Sequence, residues 1–291
     1  MKAFHMNLLN FSASNINYWN GKNPQGKLAL LANELDEYHG HLKTNVDIAG
    51  FTEVGIPNNP DSSQLQRMIN SLSLLSDALR IPTINIGGVN VRYVLIVKCG
   101  QTALGTDNEC VAIVLNGNAL NVNCFIDSFT VGSFIWNRSA VNINNFFALQ
   151  LSQPNPNTPD YRYPVGADFS LNGTKYTIGF IHNRAPGNNH VAVTLAQLRT
   201  RVRNNFTLIG GDFNTAPLCS HPNTCQEGRA RNCNTYYHTG ANTTSANNYD
   251  WWLGGTNILN ANGVAAKCNA TPNTPGVHTT GSDHRGIGID I

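Results

Sequence analysis

Charge is scarce in this chain. Asp, Glu, Lys and Arg make up 12% of its 291 residues, about half the roughly 25% usual in soluble domains. Asn, Thr, Ser and Gly supply the polarity instead, which makes a surface less dependent on salt than one of Lys and Glu. The net charge of +2 and a pI near 8.2 exclude no class of partner; a polyanion is neither demanded nor forbidden. Long apolar runs are also missing. No stretch reaches the roughly 18 consecutive apolar residues of a membrane-spanning helix. The start, MKAFHMNLLNFSAS, has no long apolar core and no obvious cleavage site, so it reads as a first strand rather than a signal peptide. The chain is then either cytoplasmic or the mature form of a secreted protein. Internal repeats and heptads are absent, which excludes solenoids and coiled coils. No break in composition is sharp enough to be a linker, so residues 1–291 are expected to form one domain.

What is present is a hydrophobic fraction of 41%, enough for a sizeable core, and seven cysteines. Cys99 and Cys110 flank GQTALGTDNE between two apolar runs, so a hairpin with a disulfide across its mouth is expected. Cys219, Cys225 and Cys233 cluster with His221 in one polar loop, where zinc competes with disulfides; the spacings match no structural zinc pattern. The cysteines favour the secreted form, since disulfides imply an oxidising compartment. An odd count leaves at least one thiol unpaired or intermolecular, and the six Asn-x-Ser/Thr sequons, Asn137 and Asn242 among them, matter only in a eukaryotic secretory cell.

Strands are expected over residues 2–9, in VDIAGFTEVG ending at Glu53, over 91–98, 111–116 and 122–130, in YTIGFIH ending at His182, in FTLIGGDFN, in NYDWWLGG and in RGIGIDI. Helical spacing marks GKLALLANELDEYHG, the Ser-capped segment 62–79, and NNHVAVTLAQLRTRVRN with an Asn cap. Helices interleave with strands, but hairpins are frequent. This points to a four-layer α/β sandwich, with two mixed β-sheets packed face to face and helices flanking them.

TLIGGDFNTAP raises the functional question. Alternation along a strand sends Asp212 and Asn214 the same way, with Phe213 opposite, while Gly210 and Gly211 allow close approach. Taken alone, D-x-N is an ordinary strand-end turn. Yet Asn7, Glu53, His182, Asp250, Asp283 and His284 also sit where strands begin or stop, and loops at one end of a sheet are where sites are assembled.

Asn7, Glu53, His182, GGDFN, YDWW and GSDH occur in the order and spacing of the endonuclease/exonuclease/phosphatase superfamily, typified by pancreatic deoxyribonuclease, which the chain resembles from residue 3 to 291. MNLLNFSAS followed by YWN, RYPVG and GDFNTAP look like the nuclease subunit of cytolethal distending toxins. Two departures stand out. The usual Gln-Glu is here Thr52-Glu53, and the usual Leu-Asp-Tyr is here Tyr249-Asp250-Trp251. The resemblance implies phosphodiester hydrolysis with Mg²⁺, or Mn²⁺ or Ca²⁺ in its stead, because a hard cation takes carboxylate oxygens. Glu53 is the lead ligand, with Asn7 and Asp283 beside it. Asp250 orients His284, His182 meets the phosphate, Asp212 orients water, and Asn214 donates to phosphoryl oxygens. Arg162 matches a phosphate-contacting arginine, and Arg184 and Arg285, with Arg229 and Arg231, flank the site. DNA is the leading substrate, and toxin carrier or delivery subunits are implied partners of an enzyme secreted to act inside a target cell. Phosphoinositide phosphatase and sphingomyelinase are alternatives on the same scaffold. A binding module is disfavoured because each catalytic position holds a competent residue.

Overall fold

The computed structural model describes residues 1–13, 28–29, 31–33, 35–36, 45–101, 107–130, 135–153, 162–184, 193–216, 225–226, 235–237, 244, 247, 249–254, 284 and 286–291. One sheet has six strands: β1 (Lys2–Ser12), β2 (Ile48–Pro57), β5 (Tyr93–Gln101), β6 (Asp107–Leu115), β9 (Phe147–Gln150) and β16 (Ile287–Asp290). Their order is β16-β1-β2-β6-β5-β9. The other has eight: β7 (Leu120–Thr130), β8 (Ile135–Val141), β10 (Val165–Leu171), β11 (Thr174–His182), β12 (Leu208–Asp212), β13 (Cys225–Gln226), β14 (Thr235–Tyr237) and β15 (Asp250–Gly254). Their order is β13-β14-β15-β12-β11-β10-β7-β8. Both sheets are mixed, since β1 with β2, β5 with β9, and β11 with β12 run parallel among antiparallel neighbours. A separate hairpin joins β3 (Ile84–Ile86) to β4 (Val89–Val91).

Strand alternation builds two cores. From β1, Phe4, Met6 and Leu8 face outward and pack with Met68, Leu72 and Leu75 of helix α1 (Ser62–Ala78). Ala3 of β1, Ile48 of β2 and Val111, Ile113 and Leu115 of β6 face the second sheet. The two sheets close tightly at Gly50, where an added Cβ would lie 2.1 Å from the Phe180 ring. Helix α2 (Leu195–Asn205) bridges β11 and β12, and buries Leu198 and Val202. The expected helix after Gly26 is helical at each described position between 28 and 36.

The caps differ from expectation. Asp61, not a serine, caps α1 in a capping box with Gln64. Thr194, not an asparagine, caps α2 with Gln197. In both cases a side-chain oxygen takes a backbone N–H that the first turn leaves unpaired. The segment 188–192, expected to open α2, lies outside the described residues.

The expected Cys99–Cys110 disulfide is absent, and both thiols are free and buried. The hairpin does form, but its register shifts between Lys98 and Gly100. Cys99 belongs to the core between the sheets and Cys110 to the core under α1. Two thiols on opposite faces of a sheet cannot be bridged. Each bonds a backbone carbonyl, of Glu109 and Asn108 respectively, and burial pushes both pKa values up. Cys219, Cys233, Cys268 and His221 lie outside the described residues.

Candidate active site

Both sheets contribute to one cluster. The six-stranded sheet brings Asn7, Glu53 and Glu109, and the eight-stranded sheet brings His182, Asp212 and Asp250. His182 is beside Asp212 in parallel register, and Asp212 is opposite Asp250 in antiparallel register. His284 lies just ahead of β16.

Glu53 does not end its strand; β2 runs on to Pro57. Phe51 and Val54 both face α1, and the pairing of β2 with β6 shifts between them. Thr52 and Glu53 therefore fall on the same, inner side, with Glu53 at φ 56°. A β-bulge of this kind re-aims a side chain that strict alternation would send to the other face. Asn7 has the complementary irregularity, a register shift between Asn7 and Phe11, and its Oδ1 accepts from Leu9 N at 2.9 Å.

Oδ2 of Asp212 is the hub. Asn7 Nδ2 donates to it at 3.3 Å and to Glu53 Oε1 at 3.0 Å. His182 Nε2 lies 3.5 Å away and His284 Nε2 3.6 Å away. Each histidine has its own carboxylate behind it: Glu109 Oε1 at 2.5 Å from His182 Nδ1, and Asp250 Oδ2 at 2.7 Å from His284 Nδ1. A carboxylate behind Nδ1 fixes the tautomer and leaves Nε2 for the reaction side. Arg162 joins this unit, with Nη2 at 2.6 Å from Glu109 Oε2 and Nη1 at 2.9 Å from Nδ1 and 2.7 Å from Nε2 of His182, so Nε2 is shared between Arg162 and the cluster.

Burial, then the neighbouring Asp250, pushes Asp212 up to about 6; His182, His284 and the Asn214 amide offset part of the rise. Burial pulls His182 down, but Glu109 and Asp212 together outweigh burial and Arg162, so its pKa is raised. A carboxylate poised near neutrality between two oriented imidazoles can take a proton from water and have it passed on.

Asn214 does two things. Its backbone N–H donates to Asp212 Oδ1 at 2.8 Å, the strand-end turn that D-x-N forms by itself. Its Nδ2 donates to Asn183 O at 2.6 Å. The paired glycines before it make room: an added Cβ at Gly210 would meet Trp252 at 2.2 Å, and one at Gly211 the Ile181 carbonyl at 1.9 Å. Arg184 follows β11, half-buried, with its backbone N–H on Asn183 Oδ1. Asp283, Arg285, Arg229 and Arg231 lie outside the described residues.

No protein-family model matches the sequence, and no curated protein matches it. Among solved structures, an endonuclease/exonuclease/phosphatase family protein from Leptotrichia buccalis C-1013-b matches with a TM-score of 0.52 at 15% identity, covering 100% of this chain and 99% of that one. The chain has the endonuclease/exonuclease/phosphatase fold. A functionally unknown conserved protein from Enterococcus faecalis V583 also matches, with a TM-score of 0.48 at 12% identity over 100% of this chain and 98% of that one. So does the human nocturnin catalytic domain, with a TM-score of 0.48 at 12% identity over 99% and 93%.

On this endonuclease/exonuclease/phosphatase scaffold two site neighbours escaped the sequence reading. Glu109 stands in DNECVAIVL, on the face of Val111 and Ile113, and is 2% exposed. A carboxylate followed at alternate positions by Val111 and Ile113 was the available signal. His5 is fully buried in KAFHMNL. Burial, partly offset by Asp250, pushes it down to about 4, so it is neutral at pH 7.

The donor set fits a hard cation. Ligand atoms of Asp212, Asp250 and His284 all lie within 4.8 Å of one another, and the Asn7 amide links Glu53 to Asp212. Burying several carboxylates together costs free energy that a positive charge relieves. Asn7 turns its nitrogen, not its oxygen, toward the carboxylates, which makes it their donor in this arrangement.

Proposed function

We propose that this chain is a divalent-metal-dependent phosphodiesterase and, among phosphodiesters, that it cuts DNA endonucleolytically. One observation carries the reading: Asn7, Glu53, Asp212 and two carboxylate-backed histidines converge in one cluster fed by both sheets. Glu53, with Asp283, would hold the cation, and the Asn7 amide orients Glu53. When bound, Mg²⁺, or Mn²⁺ or Ca²⁺ in its place, neutralises charge on the phosphoryl oxygens.

Asp212 orients the attacking water and accepts its proton. His182, its Nδ1–H held by Glu109, directs Nε2 to a phosphoryl oxygen. His284, held by Asp250, exchanges the proton through Nε2. Asn214 donates the second hydrogen of its amide to the developing charge. Arg162 stabilises the Glu109–His182 unit, and Arg184 and Arg285 bind the polyanion beyond the reacting group. Resemblance to toxin nuclease subunits extends the reading to a secreted enzyme, with carrier subunits, acting inside a target cell. With Cys99 and Cys110 free, that extension rests on the motifs.

The test is supercoiled plasmid with Mg²⁺, beside phosphoinositide and sphingomyelin. Nicking is expected, lost in EDTA and restored by Mg²⁺. His182→Ala and His284→Ala should each lower turnover by roughly two to four orders of magnitude, the usual share of acid–base catalysis. Uncut plasmid with phosphate released from the phosphoinositide would move the substrate to lipid headgroups. Full activity in EDTA would remove the metal.

A further inference from the structure

His5 is a buried imidazole that the mechanism above does not use. It projects from β1 between the sheets, two residues before Asn7, with its ring stacked 6.4 Å from Phe180 at 22°. Its Nε2 is 3.2 Å from Thr52 Oγ1. Its Nδ1 makes no hydrogen bond among the described residues and lies 3.6 Å from Asp250 Oδ1. Asp250 Oδ2, the other oxygen of that carboxylate, is the one that meets His284 Nδ1 at 2.7 Å. Thr52, His5, Asp250 and His284 thus form a continuous line running from the interior to the site.

We infer that His5 is a positioning residue for the Asp250–His284 pair: backed by Thr52, its Nδ1–H holds Asp250 Oδ1 and so fixes the plane in which Oδ2 meets His284. The torsion that turns an aspartate carboxylate is broad and nearly two-fold. A contact at Oδ1 adds to the hydrogen bond at Oδ2 and helps to hold that plane. The tautomer follows from the partners. A carboxylate accepts only, so Nδ1 must carry the proton and Nε2 must accept from the Thr52 hydroxyl, which can donate. At 3.6 Å the pair is a polar contact rather than a full hydrogen bond. The inference rests on the proposed role of His284, but its test does not depend on activity alone.

Three variants separate positioning from packing. His5→Leu removes the donor and keeps apolar bulk. His5→Asn restores an N–H close to the position of Nδ1. Thr52→Val removes only the support and keeps the shape. In metal-free protein with ¹⁵N-labelled histidine, the Nδ1 and Nε2 shifts of His284, assigned by their loss in His284→Ala, report its tautomer. Wild type and His5→Asn should show the single Nδ1–H form. His5→Leu, and more weakly Thr52→Val, should show a mixture. On plasmid, His5→Leu should lower kcat roughly tenfold with KM unchanged, the scale on which losing an outer partner of a functional ligand acts. His5→Asn should recover most of that loss. In a His284→Ala background His5→Leu should cost nothing further, since it acts through the group already removed. A His284 tautomer unchanged in His5→Leu, or in Thr52→Val should the leucine variant not fold, would overturn the role. So would equal losses in His5→Leu and His5→Asn. If wild-type protein cleaves no phosphodiester, the phosphodiesterase reading fails while the tautomer comparison still decides His5.

Discussion

Asp212 shows how one residue carries a structural cost for the sake of the site. It is 1% exposed and its pKa is raised to about 6 by burial and by Asp250. A raised folded-state value means that the native protein binds more protons than the unfolded chain between the two pKa values. The stability from this group is therefore complete below the unfolded value and is lost as pH rises through about 6. In EDTA, wild-type stability should rise relative to Asp212→Asn as pH falls from 7 to 5, by up to about 1.4 kcal/mol per pH unit. His182, which Asp212 helps to raise, shifts in the same direction, so the difference reports Asp212 together with its effect on His182. Denaturant melts at several pH values measure it; parallel stabilities across that range would refute the buried, carboxylate-flanked setting. Residue types at strand ends were legible in sequence because chemistry restricts them. The carboxylate behind His182 was not: Glu109 lies 73 residues away from it in the chain, and only the packing of two sheets joins them.

At the scale of the element, most long segments followed their periodicity, and the failures share a cause. β8, β9, β10, β13, β14 and the β3–β4 hairpin went unread. All but β10 are weakly patterned: β8 is exposed or half-buried up to Val141, β9 is four residues long, β13 has two residues, and β14 and the hairpin strands have three each. Neither the bulge that turns Glu53 inward nor the register shift that separates Cys99 from Cys110 is a local property. Both arise from pairing with a neighbouring strand. The Gly-Gly pair, by contrast, announced a close approach, and its partners are now named. Gly211→Ala would drive a Cβ to within 1.9 Å of the Ile181 carbonyl, rigid backbone rather than a side chain that can swing aside. It should cost about 2–3 kcal/mol, the upper range for overpacking, and lower kcat together with stability, because β11 and β12 deliver His182 and Asp212 side by side. A variant as stable and as active as wild type would show that the two strands can separate there without consequence.

Across the whole molecule, 19 basic residues nearly balance 17 acidic ones, so no global field draws a polyanion in. Attraction to DNA must come from a local groove. Arg162 is engaged by Glu109 at 2.6 Å and by the His182 ring at 2.7 Å. Arg184, at the exit of β11, is the described candidate, with Arg285, Arg229 and Arg231 beyond the described residues. A nuclease tracks several phosphates, and each releases condensed counterions, so log K falls with log salt by about 0.9 per contact on duplex DNA. A headgroup-reading enzyme engages one phosphate cluster and has a much shallower slope. Duplex binding by the inactive His284→Ala variant should therefore weaken steeply with salt, with a slope near −3 if roughly three phosphates are engaged. Arg184→Ala should reduce that slope by about one contact and, in otherwise wild-type enzyme, raise KM more than it lowers kcat. Contacts distant from the reacting bond stabilise ground and transition state alike. A flat salt response with unchanged slope in Arg184→Ala would remove the DNA groove, and would turn the same catalytic cluster toward a small phosphodiester or a lipid headgroup.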